Sequence, residues 1–254
     1  MDAIVADFVA ESDALDALLA TLSDEQWLTG TPAEGWDVRD SVTHLAFANE
    51  LADEIARTGR SEFMEAALAG GDLDALEREH LARGRTMAPA EVLTWWRQTV
   101  GVLADSAANL THDQRVPWGP MTMSSTSFMT GRLMETWAHG LDCFDAVGQE
   151  SVDTDRLHHV AHLGLSSLPY AFMLRGLPAP GAVQLILDAP DGSVWRLGRQ
   201  SAPSVIEGTA GDWCRVAVRR DRRGERERLR GIGPDAKAII DNVQAYLAAP
   251  TQQA

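Results

Sequence analysis

Apolar residues recur every three or four positions through most of the first 175 residues, and this period predicts amphipathic α-helices. Five segments carry the pattern: 5–22, 37–57, 88–110, 125–147 and 155–175. The second segment has two apolar faces, which indicates a helix inside a bundle rather than on its surface. The pattern therefore predicts a helical bundle for this part of the chain.

Local signals mark where the predicted helices begin and end. Residues 23–26 (Ser-Asp-Glu-Gln) have the capping-box pattern, and Asp37 is the expected N-cap of the second helix. Gly59 and Gly148 follow the second and fourth segments and are the expected C-terminal stops. Both ends of the second helix are therefore defined by the sequence.

Two stretches lack the long helical period. Residues 60–87 predict only short helices, at 62–68 and 73–83, with a glycine pair between them. Residues 111–123 contain two prolines, a glycine and Trp118, so a loop is expected there. Because this loop immediately precedes the fourth helix, it is a candidate pocket wall.

The pattern changes at 176–181, where Pro and Gly cluster and predict a linker. The strands expected beyond it cover 182–188, 193–197 and 204–208, and the helices 210–219 and 234–247. Strands and helices mixed in this way predict a small α+β domain. We therefore expect two domains, residues 1–176 and 181–250.

Composition narrows the classes of function. The 254 residues carry a formal net charge of −15, which disfavours binding to nucleic-acid phosphates and to anionic membranes. The two distant cysteines imply no disulfide framework, and no apolar run reaches ~18 residues, so no membrane span is expected. The first residues lack a leader pattern, which favours a cytoplasmic protein. Abundant Ala, Arg, Gly and Asp with few Lys is compatible with an actinobacterial source.

Glu135 and His139 lie four residues apart in the fourth predicted helix, which places them one turn apart on the same face. A carboxylate and an imidazole at this spacing can supply two ligands to one metal ion. The same spacing is common on exposed helices, where it forms only a polar pair. Apolar neighbours favour partial burial, and a buried carboxylate needs a partner. His44 is the candidate third ligand, although a lone histidine is more often a core residue.

The surroundings of His44 strengthen its assignment. Gly35-Trp36, Asp40 and His44-Leu45 closely resemble the Gly-Trp-x-x-x-Asp-x-x-x-His-Leu pattern at the start of the second helix in the DinB-like superfamily. That resemblance implies a DinB-like four-helix bundle with an extra helix, in which this histidine is the first metal ligand.

The fourth helix resembles one branch of that superfamily. Residues 135–142 are similar to the Glu-x-x-x-His-Gly-x-Asp signature of the mycothiol-dependent maleylpyruvate isomerase family. The resemblance implies that His44, Glu135 and His139 hold a divalent metal, with Zn²⁺ expected, and that a small α+β domain related to the sterol-carrier-protein fold follows. Residues 206–213 are loosely similar to the strand-to-helix entry of that domain.

The resemblance also implies an enzyme in which the metal activates mycothiol for isomerisation of, or S-transfer to, a small electrophilic substrate. Three protein ligands leave a coordination position open, as in catalytic zinc sites, and a bound thiol has a lowered pKa. The alternative is a non-catalytic metal-binding protein whose small domain binds an apolar ligand. A monomer or a homodimer fits either interpretation.

Four further residues are candidates near these ligands. Asp142 and Arg132 are assigned to the catalytic group, and Arg39 and Trp118 to binding of the thiol. Asp142 could orient His139, since carboxylates commonly accept the second ring proton of a ligand histidine. Either arginine could bind a substrate carboxylate, although pairing with surface acids is the more ordinary role.

Three other groups have simpler structural roles in the sequence pattern. His158 and His162 are also one turn apart, but no third ligand segment accompanies them. Cys143 is predicted to be a buried, unreactive thiol. The run 219–228 alternates both charges and predicts a solvated loop.

Overall fold

The computed structural model describes residues 1–63, 65, 69, 73–118 and 121–246, and for 73–77 and 121 it describes the backbone alone. The chain forms two compact units that divide between Ser151 and Val152. The first unit is helical, and the second contains a small sheet with helices. The linker predicted at 176–181 is a loop between α8 and β3 of the second unit.

The first unit is built on four long helices that form a bundle. Its elements are α1 (Asp2–Leu19), α2 (Asp24–Trp27), α3 (Val38–Thr58), α4 (Leu73–Arg85), α5 (Pro89–Ala108), β1 (Arg115–Trp118), β2 (Met121–Ser124) and α6 (Ser125–Ala146). Helices α1 and α3 each pack against both α5 and α6. Helix α4 lies against α3. Of the two short helices expected between 60 and 87, the second is present as α4, and most of the first falls outside the described residues.

Helix α3 is central to the bundle because it is buried on more than one side, as its two apolar faces predict. It begins with a capping box in which the Asp37 carboxylate accepts from the Asp40 amide, and the Asp40 carboxylate accepts from the Asp37 amide. Arg85 of α4 holds the same Asp40 carboxylate with two nitrogens, at 2.9 and 2.8 Å. Helix α3 ends at Gly59, whose φ of 75° is the left-handed conformation expected of a C-cap glycine.

Residues 111–123 were expected to form a loop, and this expectation was wrong for part of the segment. Strands β1 and β2 pair as an antiparallel hairpin with Val116 opposite Met123. Each strand has only four residues and β1 includes Pro117, so the segment lacks a run of alternation long enough to predict a strand. The hairpin contacts α3 and α6, which places Trp118 beside the bundle.

The second unit covers its sheet with helices. Its elements are α7 (Leu157–Ser166), α8 (Leu168–Leu174), β3 (Val183–Asp188), β4 (Val194–Gly198), β5 (Ser204–Thr209), α9 (Ala210–Ala217), α10 (Glu225–Arg228), β6 (Arg230–Ile232) and α11 (Ala236–Asn242). The strand order is β4-β3-β5-β6, with β3 and β5 parallel and the outer pairs antiparallel. Alternate residues of β3 are buried, and the fully buried Trp213 of α9 donates to the Ala161 carbonyl of α7.

Two other expectations differ from the structure. The single helix expected at 155–175 is divided at Ser167 into α7 and α8, and Pro169 is the second residue of α8. The charged run at 219–228 contains the short helix α10, and Arg228 at its end pairs with Asp212. Among the described residues, no helix is both long and apolar enough to cross a membrane.

The close approach of α4 to α3 gives a test of the packing. A Cβ added at Gly84 would overlap the buried Thr43 hydroxyl, whereas one added at the exposed Gly101 of α5 would meet nothing. We expect Gly84→Ala to destabilise the first unit by about 1–3 kcal/mol through overpacking. The control Gly101→Ala should stabilise it by up to about 1 kcal/mol, since alanine is the better helix former. Urea unfolding of both variants checks this, and equal effects would contradict the packing.

Candidate metal centre

Three side chains meet where α3 packs against α6. His44 comes from the second turn of α3, and Glu135 and His139 lie one turn apart on α6. One ligand atom from each lies within 4.8 Å of the others. Among the described residues this is the only group of three or more His, Cys, Asp or Glu side chains that meets in this way.

The distances within this group suit a shared ion better than hydrogen bonds. The Glu135 Oε2 atom is 3.4 Å from His139 Nε2 and 3.7 Å from His44 Nε2. Hydrogen bonds between these atom types are about 2.7–3.2 Å long. Metal–ligand bonds of about 2.0–2.1 Å in a tetrahedron separate the ligand atoms by roughly 3.3 Å. The side chains are therefore spaced as ligands of one metal ion.

The surroundings of His44 and Glu135 favour the protonation states that bind a cation. Burial lowers the pKa of His44 to about 4, and attraction to Glu135 only partly offsets this effect. Burial alone would raise the pKa of Glu135, but the contacts of its carboxylate with His139 and His44 hold that pKa well below its usual range. At neutral pH His44 is therefore neutral and Glu135 ionised, which are the forms that bind a metal.

Asp142 and Trp36 lie against the imidazoles. The buried Asp142 Oδ2 atom lies 3.4 Å from His139 Nδ1, on the side of the ring away from Glu135. The Trp36 ring stacks on the His139 ring at a centroid distance of 5.6 Å and lies 5.2 Å from the His44 ring. In the sequence, Trp36 stands out only as part of a motif. Its contact with both histidines depends on tertiary packing and was not predicted.

A third histidine lies beside the group and was missed. The His80 ring of α4 is 6.3 Å from the His44 ring and stacks on Phe47 at 4.0 Å. The spacing along the sequence gives no sign that His80 of α4 lies near the motifs of α3 and α6. Only the contact between α3 and α4 brings His80 here.

The structure places the other candidates differently. Arg132 is buried on α6, where its Nε donates to Asn49 Oδ1 of α3 at 3.4 Å, and its Cζ lies 5.9 Å from the Trp118 ring. The structure thus brings Arg132 and Trp118 together. Arg39 instead lies 3.6 Å from the Asp37 carboxylate and donates to the Arg85 carbonyl.

The remaining candidates do not join a second site. Neither His158 nor His162 belongs to a metal-binding group within the described ranges, and the His158 ring packs edge-on against Trp195. Burial raises the pKa of the Cys143 thiol, which suits an inert core residue and not a nucleophile.

The chain is similar in sequence to one protein family and to two proteins of Mycobacterium tuberculosis. The sequence model of the family described as "Mycothiol maleylpyruvate isomerase N-terminal domain" matches residues 8–144, just over half of the chain. Uncharacterized proteins from two strains of Mycobacterium tuberculosis are each 37% identical over 254 residues, covering 97% of this chain and 96% of the relative.

Solved structures show a related fold. The crystal structure of the mycothiol-dependent maleylpyruvate isomerase aligns with a TM-score of 0.59 at 15% identity, covering 91% of this chain and 92% of that chain. A histidine-to-alanine mutant of that enzyme aligns with a TM-score of 0.57 over the same shares. At this identity the likeness concerns the fold: a helical region followed by a small sheet domain.

The lowered pKa of His44 predicts a loss of stability in acid for the metal-free protein. The unfolded chain binds this proton near pH 6.5 and the folded chain near pH 4, so the unfolded state holds more protons between these values. The contribution is complete above pH 6.5 and is lost as the pH falls towards 4, with an upper limit of about 3 kcal/mol.

Urea unfolding in a chelator at pH 7 and pH 4.5 measures this effect. The variant His44→Gln should lose less stability than the wild type over this range, whereas the exposed control His112→Gln should match the wild type. Identical losses in all three proteins would show that His44 does not carry the effect.

Proposed function

Because the chain belongs to the mycothiol maleylpyruvate isomerase family, we propose that it is a divalent-metal-dependent enzyme that uses mycothiol to isomerise a small electrophilic substrate. The observation that carries the proposal is the convergence of His44, Glu135 and His139 at the α3–α6 contact. Family membership supports the thiol, and the ligand geometry supports the metal.

The set of ligand atoms indicates which ion fits. Two imidazole nitrogens and one carboxylate oxygen are typical of catalytic zinc sites, which keep a further position for a ligand that is not protein. Zn²⁺ is therefore the ion that we propose. When bound, it supplies a Lewis acid that lowers the pKa of a coordinated thiol, so that a thiolate forms at neutral pH.

The protein's own groups prepare that position. The side chains of His44 and Glu135 are each 25% exposed, so the outer side of the group remains open to a ligand. We assign to Asp142 the task of accepting the Nδ1 proton of His139, which directs the Nε2 lone pair towards Glu135. Trp36 packs against both imidazole rings and limits their rotation.

Reversible addition of the thiol sulfur to a conjugated double bond would permit rotation about that bond, and elimination would return the thiol unchanged. Displacement of a leaving group would instead consume the thiol, which is the S-transferase alternative. Measuring free mycothiol against product distinguishes them: isomerisation leaves the thiol concentration constant over many turnovers.

Metal content tests the ligand set. We expect wild-type protein to bind one Zn²⁺ or Co²⁺ per chain, and expect His44→Ala and Glu135→Gln to lose at least most of that ion. His158→Ala is the matched control, because its imidazole lies outside the group, and it should retain the metal. Elemental analysis after dialysis provides the measurement.

Mycothiol binding tests the function itself. Addition of mycothiol to the cobalt protein should produce a sulfur-to-cobalt absorption band, and Glu135→Gln should not show it. If the wild-type protein binds no stoichiometric metal, the proposal fails. If vesicle lipids bind while mycothiol leaves the cobalt spectrum unchanged, a carrier with a sterol-carrier-like domain replaces the enzyme.

The role of Asp142 makes a separate prediction. The variant Asp142→Asn removes the negative charge beside His139 Nδ1 and should weaken Zn²⁺ binding by roughly 10–100-fold. Competition with a chromogenic chelator measures the affinity. The exposed control Asp105→Asn removes an equal charge elsewhere and should bind Zn²⁺ like the wild type. Unchanged affinity in a folded Asp142→Asn protein would rule out the orienting role.

A further inference from the structure

We propose that Arg132, supported by Asn49 and Trp118, forms a carboxylate-binding site beside the metal centre. Its role in catalysis, which is to hold the anionic group of the electrophilic substrate, rests on the proposed function. The binding of a carboxylate by Arg132 does not, and it can be measured by itself.

The first argument is charge. Arg132 is only 3% exposed, and burial lowers the pKa of its guanidinium, with the charge of Glu135 offsetting this in part. Within the described part of the chain, no carboxylate forms an ion pair with it. By contrast, the half-buried Arg215 has the Asp153 carboxylate at 2.8 Å. A buried cation without such a partner is costly, and a bound anion removes that cost.

The second argument is geometry. Arg132 Nε donates to Asn49 Oδ1, and Asn49 Nδ2 donates in turn to Thr99 Oγ1 at 3.5 Å. These long contacts orient the guanidinium from one side. Its Nη2 atom is buried and has no hydrogen-bond partner among the described residues. One edge of the guanidinium is therefore held by the protein, and a donor remains for a ligand.

Trp118 does not replace the missing anion. Its ring centroid is 5.9 Å from Arg132 Cζ, at the outer limit of about 6 Å for a cation–π contact. At this distance the ring provides an apolar wall more than a counter-charge. The hairpin thus bounds the guanidinium on one side without supplying an anion.

The position relative to the metal centre suggests what the anion belongs to. Arg132 lies nearly one turn before Glu135 on α6, and its charge contributes to the lowered pKa of His44. The Arg132 charge acts on both Glu135 and His44, so a carboxylate bound by Arg132 would belong to a ligand near the metal centre. A divalent ion adds two positive charges there, so the loaded site favours an anionic ligand still more. The planar guanidinium matches a carboxylate in shape.

Nuclear magnetic resonance of ¹⁵N-labelled protein tests the site directly. The Arg132 Nε–H signal is identified by its loss in Arg132→Lys and by its shift in Trp118→Phe, where the ring changes. We expect acetate to shift this signal saturably in chelator-treated protein and more tightly in Zn²⁺-loaded protein. Sodium chloride at equal ionic strength should not. Arg132→Lys should weaken the affinity for acetate about tenfold, as measured by acetate-induced thermal stabilisation, because lysine lacks the planar guanidinium.

The controls separate this site from general charge effects. Arg97→Lys alters an exposed arginine that pairs with Asp16 and should leave the response of Arg132 unchanged. If Arg132→Lys does not fold, Asn49→Ala, which releases one edge of the guanidinium, should still weaken acetate binding. A signal that responds equally to chloride, or does not saturate with acetate, overturns the proposal. Tighter binding of inorganic phosphate than of acetate overturns the assignment to carboxylates.

The outcome also separates this inference from the proposed function. A saturable acetate response in a protein that binds no metal keeps the carboxylate site and removes the enzyme. A sulfur-to-cobalt band with mycothiol, but no acetate response, keeps the enzyme and removes the site. In an active enzyme, Arg132→Lys should raise the KM of an anionic electrophile and leave the KM of mycothiol unchanged.

Discussion

The contact between α3 and α6 places one carboxylate between two imidazoles, and helix packing rather than hydrogen bonding determines their separation. Glu135 is 3.4 and 3.7 Å from the two Nε2 atoms, which is too far for good hydrogen bonds. What holds the helices at this separation is the apolar packing around them, with Val42 and Leu45 of α3 and Leu133 of α6 essentially inaccessible to solvent. Because packed interiors resist small displacements, the ligand spacing is fixed before any ion binds.

This arrangement has a cost in stability. Asp142 and Arg132 are charged groups with almost no exposure, and burial of such groups is unfavourable unless they are paired. Apolar residues of similar size at these positions would commonly give an equally or more stable bundle. Their presence within a turn of Glu135 and His139 is therefore better explained by the chemistry of the site than by the stability of the fold.

The sequence predicted those features that depend on local spacing. Helical periodicity located α1, α3, α5 and α6, and the four-residue spacing located the Glu135–His139 pair. His44 required the resemblance to a known motif, because the contact between two helices ninety residues apart leaves no local signal. The hairpin and the positions of Trp36 and His80 were not predicted, because each depends on tertiary contacts or on strands too short to show alternation.

Arg132 shows how far a sequence-based assignment can be refined by structure. From spacing alone it was one of two arginines near the ligand segments, and pairing with surface acids was the ordinary expectation for both. The structure distinguishes them. Arg39 faces the Asp37 carboxylate, whereas Arg132 contacts an amide oxygen and an aromatic ring, and its Nη2 has no hydrogen-bond partner among the described residues. The chain has 37 acidic and 22 basic residues, so carboxylates that could pair with a buried arginine are in excess. The position of Arg132 one turn from the metal ligands instead suits an anion supplied by a ligand.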